Sequence, residues 1–154
     1  MDLHIEDVLI RKVVTINSEF TIKQATDMMN ENYTSCLVVL TGNIIDGILT
    51  TRDVIFRVVA KGMDPEKVYV KEVMTKPVII MRPETPLTEA IKIMLQKRIK
   101  KLPLIEGERS NARLVGLLSL SDLVEYHPEI FSELWEETLI TEGTVEERGE
   151  VVIV

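Results

Sequence analysis

The chain has 154 residues, 45% of them hydrophobic, and a formal charge of −7. That is enough for one sizeable core, whereas two halves of about sixty residues each are marginal alone and favour fusion into one body. No apolar run reaches bilayer-spanning length, and Met-Asp-Leu-His-Ile-Glu-Asp lacks the basic start of a signal peptide, so a cytoplasmic location without membrane insertion is expected.

The charge is uneven. Residues 1–126 hold 17 acidic and 17 basic side chains, while His127 to Val154 holds eight glutamates and only Arg148. A neutral body offers no general field for nucleic acid, and the tail opposes it. Cys36 stands alone inside an apolar run, which excludes a disulfide framework and suits a buried thiol.

In chain order, Val13-Val14-Thr15-Ile16 reads as a strand that Asn17 and Ser18 interrupt. Thr21 caps a helix with Ile22, Ala25, Met28 and Met29 at helical spacing. Cys36 to Leu40 is a buried strand, Gly42-Asn43 a turn, and Ile44 to Thr50 the returning strand. Asp53 to Ala60 is a helix with Val54, Phe56 and Val58 as apolar positions, ended by Lys61-Gly62. Asp64-Pro65 should cap and open a crossover helix.

Pro77 to Met81 begins a second set. Thr85-Pro86 opens a helix carrying Leu87, Ala90, Ile91, Met94 and Leu95. Leu102-Pro103-Leu104-Ile105 is a strand whose proline suggests an edge or strand-start position. Leu114 to Leu118 returns, and Asp122 to Tyr126 begins the last helix. The methionines at 28, 29, 74, 81 and 94 read as core fillers. After the His127-Pro128 break, Ile130, Phe131, Leu134 and Trp135 recur at helical spacing, and Val151 to Val154 can add a strand to its own sheet or a neighbour's.

These two sets are one pattern written twice. At an offset of 65, Val8, Val13, Glu19, Ala25, Met29 and Leu37 fall on Val73, Val78, Glu84, Ala90, Met94 and Leu102. At 69, Gly47-Ile-Leu-Thr50-Thr-Arg-Asp53 falls on Gly116-Leu-Leu-Ser119-Leu-Ser-Asp122. Four residues of a polar turn account for the change. The division expected is 1–66 and 67–127, with an acidic tail over 128–154.

A hydroxyl and a carboxylate at a helix start can be a local cap, or can line a binding site. The helix starts offer amides to an anion. Arg52 can meet a phosphate, and so can the cluster Lys97, Arg98, Lys100 and Lys101, which the first copy lacks. The alternatives are a solvated helix end or a nucleic-acid patch. No catalytic set emerges: His4 and His127 sit at opposite ends, and no metal-ligand spacing or phosphate loop appears. A non-enzymatic role is expected.

The repeat resembles a tandem pair of cystathionine-β-synthase (CBS) domains over about residues 5–126. The marks are Val73-Met74-Thr75-Lys76-Pro77-Val78, Leu102-Pro103-Leu104-Ile105, and Gly-apolar-apolar-Thr/Ser-x-x-Asp at 47–53 and 116–122. The first copy departs where Leu9-Ile10-Arg11-Lys12 replaces Met-Thr-x-Pro and where Val38 replaces the proline.

The resemblance implies an α+β fold of two pseudo-twofold-related β-α-β-β-α lobes with two clefts that take AMP, ADP, ATP or S-adenosylmethionine. It implies that Asp53 and Asp122 hold ribose, that Thr50 and Ser119 lie near ribose or phosphate, and that Val13, Val14, Thr15 and Ile16, with Pro77, Val78, Ile79 and Ile80, line the base. It also implies a homodimer, and regulation of an unlinked effector. The contrasting expectation is a structural or protein-interaction module with vestigial clefts.

Overall fold

The computed structural model describes residues 4–8, 12–76, 78–108, 111–132 and 152–153. They divide into two compact units, one from Val13 to Val78, the other from the N-terminal segment together with Ile79 onward. The sequence repeat was divided at 66/67, whereas the spatial division falls at 78/79. The physical reason is that Val68, Val70, Val73 and Met74 pack into the core of the first unit.

In the Val13–Val78 unit, β1 (Thr15–Asn17) runs parallel to β2 (Cys36–Thr41), which is antiparallel to β3 (Ile44–Thr50). Asn17 ends β1, and its Oδ1 accepts the Glu19 N–H at 2.9 Å, which turns the chain toward α1 (Ile22–Glu31). Thr21 caps α1 as expected. Its hydroxyl accepts the Gln24 N–H at 3.2 Å, while Gln24 Oε1 accepts the Thr21 N–H at 2.9 Å. Ile22, Ala25 and Met29 form the buried face of α1, against Leu37, Val39 and Leu49. Gly42, at φ +62°, makes the tight turn between β2 and β3.

Two expectations are corrected here. The helix after β3 starts earlier, as α2 (Thr51–Val54), and widens into a π-helical segment over Ile55–Val59. Val54 and Val58 face the core, but Phe56 is 58% exposed. No helix follows Asp64-Pro65. The Asp64 side chain accepts the Glu66 N–H at 2.9 Å in a plain turn, and helix resumes only at α3 (Val70–Val73).

The second unit repeats the order with β4 (Ile79–Ile80), α4 (Leu87–Lys97), β5 (Lys101–Glu106), β6 (Arg113–Ser119) and α5 (Leu120–Tyr126). Ile5, in a short 3-10 turn, is fully buried here with Met81, Leu87, Ile91, Met94 and Leu118. Each such apolar side chain contributes about 1.5–3 kcal/mol on burial. Both hairpins carry a register shift at the equivalent place, at Val39/Leu40 and Leu104/Ile105. Residues 128–132 are helical with Ile130 buried, and β7 (Val152–Ile153) pairs in parallel with β4 of its own chain. Leu134 and Trp135 lie outside the described residues.

Pro103 lies inside β5, not at its start, and β5 is an edge of the two-stranded β5–β6 sheet, as the missing amide donor suggests. Pro103 pairs with Leu117 of β6, and its carbonyl accepts the Met81 N–H at 3.0 Å on the other side. In the first unit the equivalent Val38 N–H donates to the Val14 carbonyl at 3.0 Å. Pro103 has no such donor to offer Ile79. This is why β1 and β2 form a three-residue ladder while β4 and β5 share only the Met81–Leu104 bridge.

Candidate functional site

The two hydroxyl–carboxylate motifs occupy the same place in each unit, where the last hairpin strand turns into a helix. Their local chemistry differs.

At the first motif the carboxylate is fully engaged. Asp53 is 8% exposed. Its Oδ2 accepts the Thr50 N–H at 2.9 Å and the Thr50 hydroxyl at 3.1 Å, and the Asp53 N–H lies 3.3 Å from Thr50 Oγ1. The other oxygen, Oδ1, accepts the Thr75 hydroxyl at 3.0 Å and has the Arg57 guanidinium 3.6 Å away. Arg57 also donates to the carbonyls of Val73 and Met74, at 2.6 and 3.2 Å. The motif glycine serves this arrangement. A Cβ on Gly47 would stand 2.7 Å from Met74 Sδ and 3.0 Å from the Thr75 carbonyl. Without one, residue 75 bridges to Ile48 through paired backbone bonds of 2.8 and 3.2 Å.

At the second motif the hydroxyl is diverted. Ser119 is buried, makes no cap bond, and accepts from Lys101 Nζ at 2.7 Å. Asp122 Oδ2 is buried and has no hydrogen-bond partner, which is true of no other buried side-chain nitrogen or oxygen among the described residues. Tyr126 stands at the repeat position of Arg57 and is 68% exposed.

The remaining candidates are spread out. Val13, Val14, Thr15 and Ile79 are half-buried, while Ile16, Val78 and Ile80 are buried. Pro77 lies outside the described residues. Arg52 sits over the Phe56 ring at 5.2 Å, and Lys100 is exposed. A hollow of about 350 Å³ opens near the first motif, lined by Thr26, Met29, Asn30, Tyr33, Thr34 and Thr51. Among the described residues no group of three His, Cys, Asp or Glu is placed to hold a metal. Sequence reasoning passed over Thr75 and Arg57. The signals were available: Arg57 is four residues past Asp53, one helical turn on, and Thr75 belongs to the entry motif.

Close to Thr75, Lys76 Nζ lies 3.0 Å from Asp46, which also accepts the Thr41 hydroxyl at 2.7 Å. Partial burial pushes the Asp46 carboxyl up, but the bonds from Thr41 and Lys76 and the Lys76 charge outweigh it and hold Asp46 below its ordinary value.

The CBS domain family model matches residues 5–60 and 70–129, one match for each copy of the pattern. The chain belongs to the CBS-domain family. Its α+β fold is a tandem CBS pair, a module that is commonly regulatory and ligand-sensing. An uncharacterized protein of Methanopyrus kandleri is 29% identical over 82% of this chain and 64% of its own length. The CBS domain-containing protein YhcV of Bacillus subtilis is 29% identical over 77% of this chain and 81% of its own. An inosine-5'-monophosphate dehydrogenase of Korarchaeum cryptofilum is 35% identical over 80% of this chain, but the match spans 24% of that enzyme. Among solved structures, a hexameric CBS-CP12 protein from bloom-forming cyanobacteria superposes with a TM-score of 0.73 at 30% identity, over 84% of this chain and 73% of that one. An uncharacterized conserved protein from Pyrococcus horikoshii gives 0.71 at 29% identity, over 81% of this CBS pair and 92% of its own chain. Among the described residues no helix is long and apolar enough to cross a membrane.

Proposed function

We propose that this CBS pair is a non-enzymatic regulatory sensor for an adenosine compound, AMP, ADP, ATP or S-adenosylmethionine, held through its Thr/Ser-x-x-Asp motifs. The observation that carries the reading is Asp122 Oδ2, a buried carboxylate oxygen with no donor at the repeat position of Asp53. An acceptor in that state is costly, and the vicinal hydroxyls of a ribose are donors that relieve it. In this reading Val13 to Ile16 and Pro77 to Ile80 supply walls for the purine. Arg52, Lys100 and Lys101 supply positive charge for phosphate. The sensor works in the cytoplasm as a homodimer acting on an unlinked effector protein. Its cyanobacterial relative is hexameric, which supports assembly. Signalling then depends on a ligand that favours one of two states over the other.

Calorimetry of the full chain with AMP, ADP, ATP, S-adenosylmethionine and 2′-deoxy-AMP tests this. Binding of ribonucleotides with a weaker deoxy analogue is expected. Silence from all of them at millimolar ligand rejects it.

A second reading, a structural or protein-interaction module, draws support from Asp53, whose oxygens are both already satisfied within the chain. Replacing both Asp53 and Asp122 by alanine separates the two. The sensor loses ribonucleotide binding while staying folded. The structural module loses about 0.5–2 kcal/mol of stability from the one cap present, at Asp53, and has no binding to lose.

A further inference from the structure

We infer that the C-terminal strand β7 is an internal competitor of the adenosine ligand: it lies along the edge of β4, and a ligand that uses the wall formed by Ile79 and Ile80 must displace it. The inference rests on the adenosine-sensor reading and adds a regulation to one of its two base walls.

Strand β4 offers a ligand no free face. Met81, which follows it, belongs to the core of its unit, Ile79 packs against that core, and Ile80 is buried as well. What remains is the edge opposite β5. β7 occupies it, with Val152 paired to Ile79 and Ile153 to Ile80 in parallel register. Paired strands lie about 4.8 Å apart, so a purine cannot share that edge with β7. The first copy differs. At the repeat offset of 65, Val14 and Thr15 stand where Ile79 and Ile80 stand. There β1 ends its sheet, and among the described residues no strand lies on its far side. One base wall is open at its edge, and the other is closed by the chain's own terminus.

The pairing is short enough to yield and tethered closely enough to return. It joins two residues of each strand near the chain end, where fraying starts. It is nevertheless the longer pairing that β4 makes, because Pro103 leaves only the Met81–Leu104 bridge toward β5. Val152 and Ile153 are β-branched and suit a strand. Ile130, 22 residues before Val152, is buried in the core of the same unit and anchors the chain there. A tether of that length gives β7 an effective concentration on the order of millimolar. If the pairing is worth about one net hydrogen bond, it is closed in most molecules and lowers the apparent affinity about tenfold. By linkage, bound ligand weakens the pairing of β7 by the same factor.

The experiment is calorimetry of the full chain and of its Val152→Pro, Ile153→Pro double variant with AMP, ADP, ATP and S-adenosylmethionine, together with NMR of the wild type. Proline has no N–H to give the ladder. The double variant should keep native circular dichroism and bind one equivalent of ligand about tenfold more tightly, with any second binding phase unchanged. In the wild type the amide signals of Val152 and Ile153 should move to random-coil positions as the tightest binder of the four is added. If neither chain binds any of the four, the sensor reading itself fails and the competition falls with it. If the two chains bind with equal affinity, or if the Val152 and Ile153 signals keep their paired positions at saturating ligand, the sensor reading stands and the role of β7 is overturned. Should the double variant not fold, the wild-type spectrum decides alone.

Discussion

The Thr75 hydroxyl donates to Asp53 Oδ1 at 3.0 Å, joining a helix-start carboxylate to a residue 22 positions later, next to the end of its unit. A ribose diol held by Asp53, as proposed, would compete with Thr75 for one oxygen. Thr75→Val should cost about 1 kcal/mol of unfolding free energy. It should also strengthen adenosine binding at the Asp53 motif, read as a second site in a titration. Loss of binding at that motif would show that Thr75 assists the ligand.

Asp53→Ala removes the cap, the Thr75 bond and the partner of Arg57 together. It should destabilise the chain by about 2 kcal/mol in urea unfolding. Asp122→Ala removes a carboxylate with an unpaired oxygen, so it should be close to neutral for stability while weakening the tighter ribonucleotide phase more than Asp53→Ala does. The reverse order of binding losses would assign the tighter site to Asp53.

Gly47→Ala tests how closely residues 74 and 75 approach β3. The Met74 side chain can swing away from a new methyl, but the Thr75 carbonyl belongs to a backbone bridge. A loss of about 1–3 kcal/mol is expected, with a lower urea midpoint at unchanged slope.

The pH dependence follows from Asp46. Its carboxyl is held lower in the folded chain than in the unfolded one. The stability it contributes is complete above the ordinary carboxylate range and is lost as pH falls through the depressed value. Asp46→Asn should flatten the acid limb of a stability–pH curve, and Lys76→Met should flatten it partly. An unchanged limb in both would remove Asp46 from the acid response.

Assembly can be read by light scattering. Ile55, Phe56 and Val59 leave an exposed apolar stripe, 53%, 58% and 67% exposed, on the helix that follows the first motif. The full chain should be a homodimer, and Ile55→Glu with Val59→Glu should give monomers with native circular dichroism. A truncation to residues 1–126 asks whether the tail contributes. An unchanged dimer would remove the tail's part only.

Much of this was legible in the sequence because two copies checked each other. The Thr21 cap and the buried faces of α1 and α4 follow from spacing and repetition, whereas the helices after β3 and β6 start two residues earlier than the expected Asp53 and Asp122. What escaped is what one-dimensional periodicity does not carry. Phe56 turned outward because the helix widens after Val54, so a period of 3.6 no longer sorts its faces. Asp64-Pro65 had helix-start chemistry, but no core-facing pattern followed to stabilise a helix. The diversion of Ser119 needed the pairing register of two strands, and Ile5 joined a core about eighty residues away in the chain.

Pro103 has a consequence for folding. A chain built from two near-copies can assemble with the wrong halves together, a hazard of tandem repeats generally. Strand β1 laid beside β5 would find a similar apolar partner, yet it would forfeit the bond that the Val38 N–H gives Val14. The imino acid thus marks one copy as different at the point where confusion would start. Only a stray β1 feels the missing hydrogen, because β4 laid beside β2 would gain the Val38 donor.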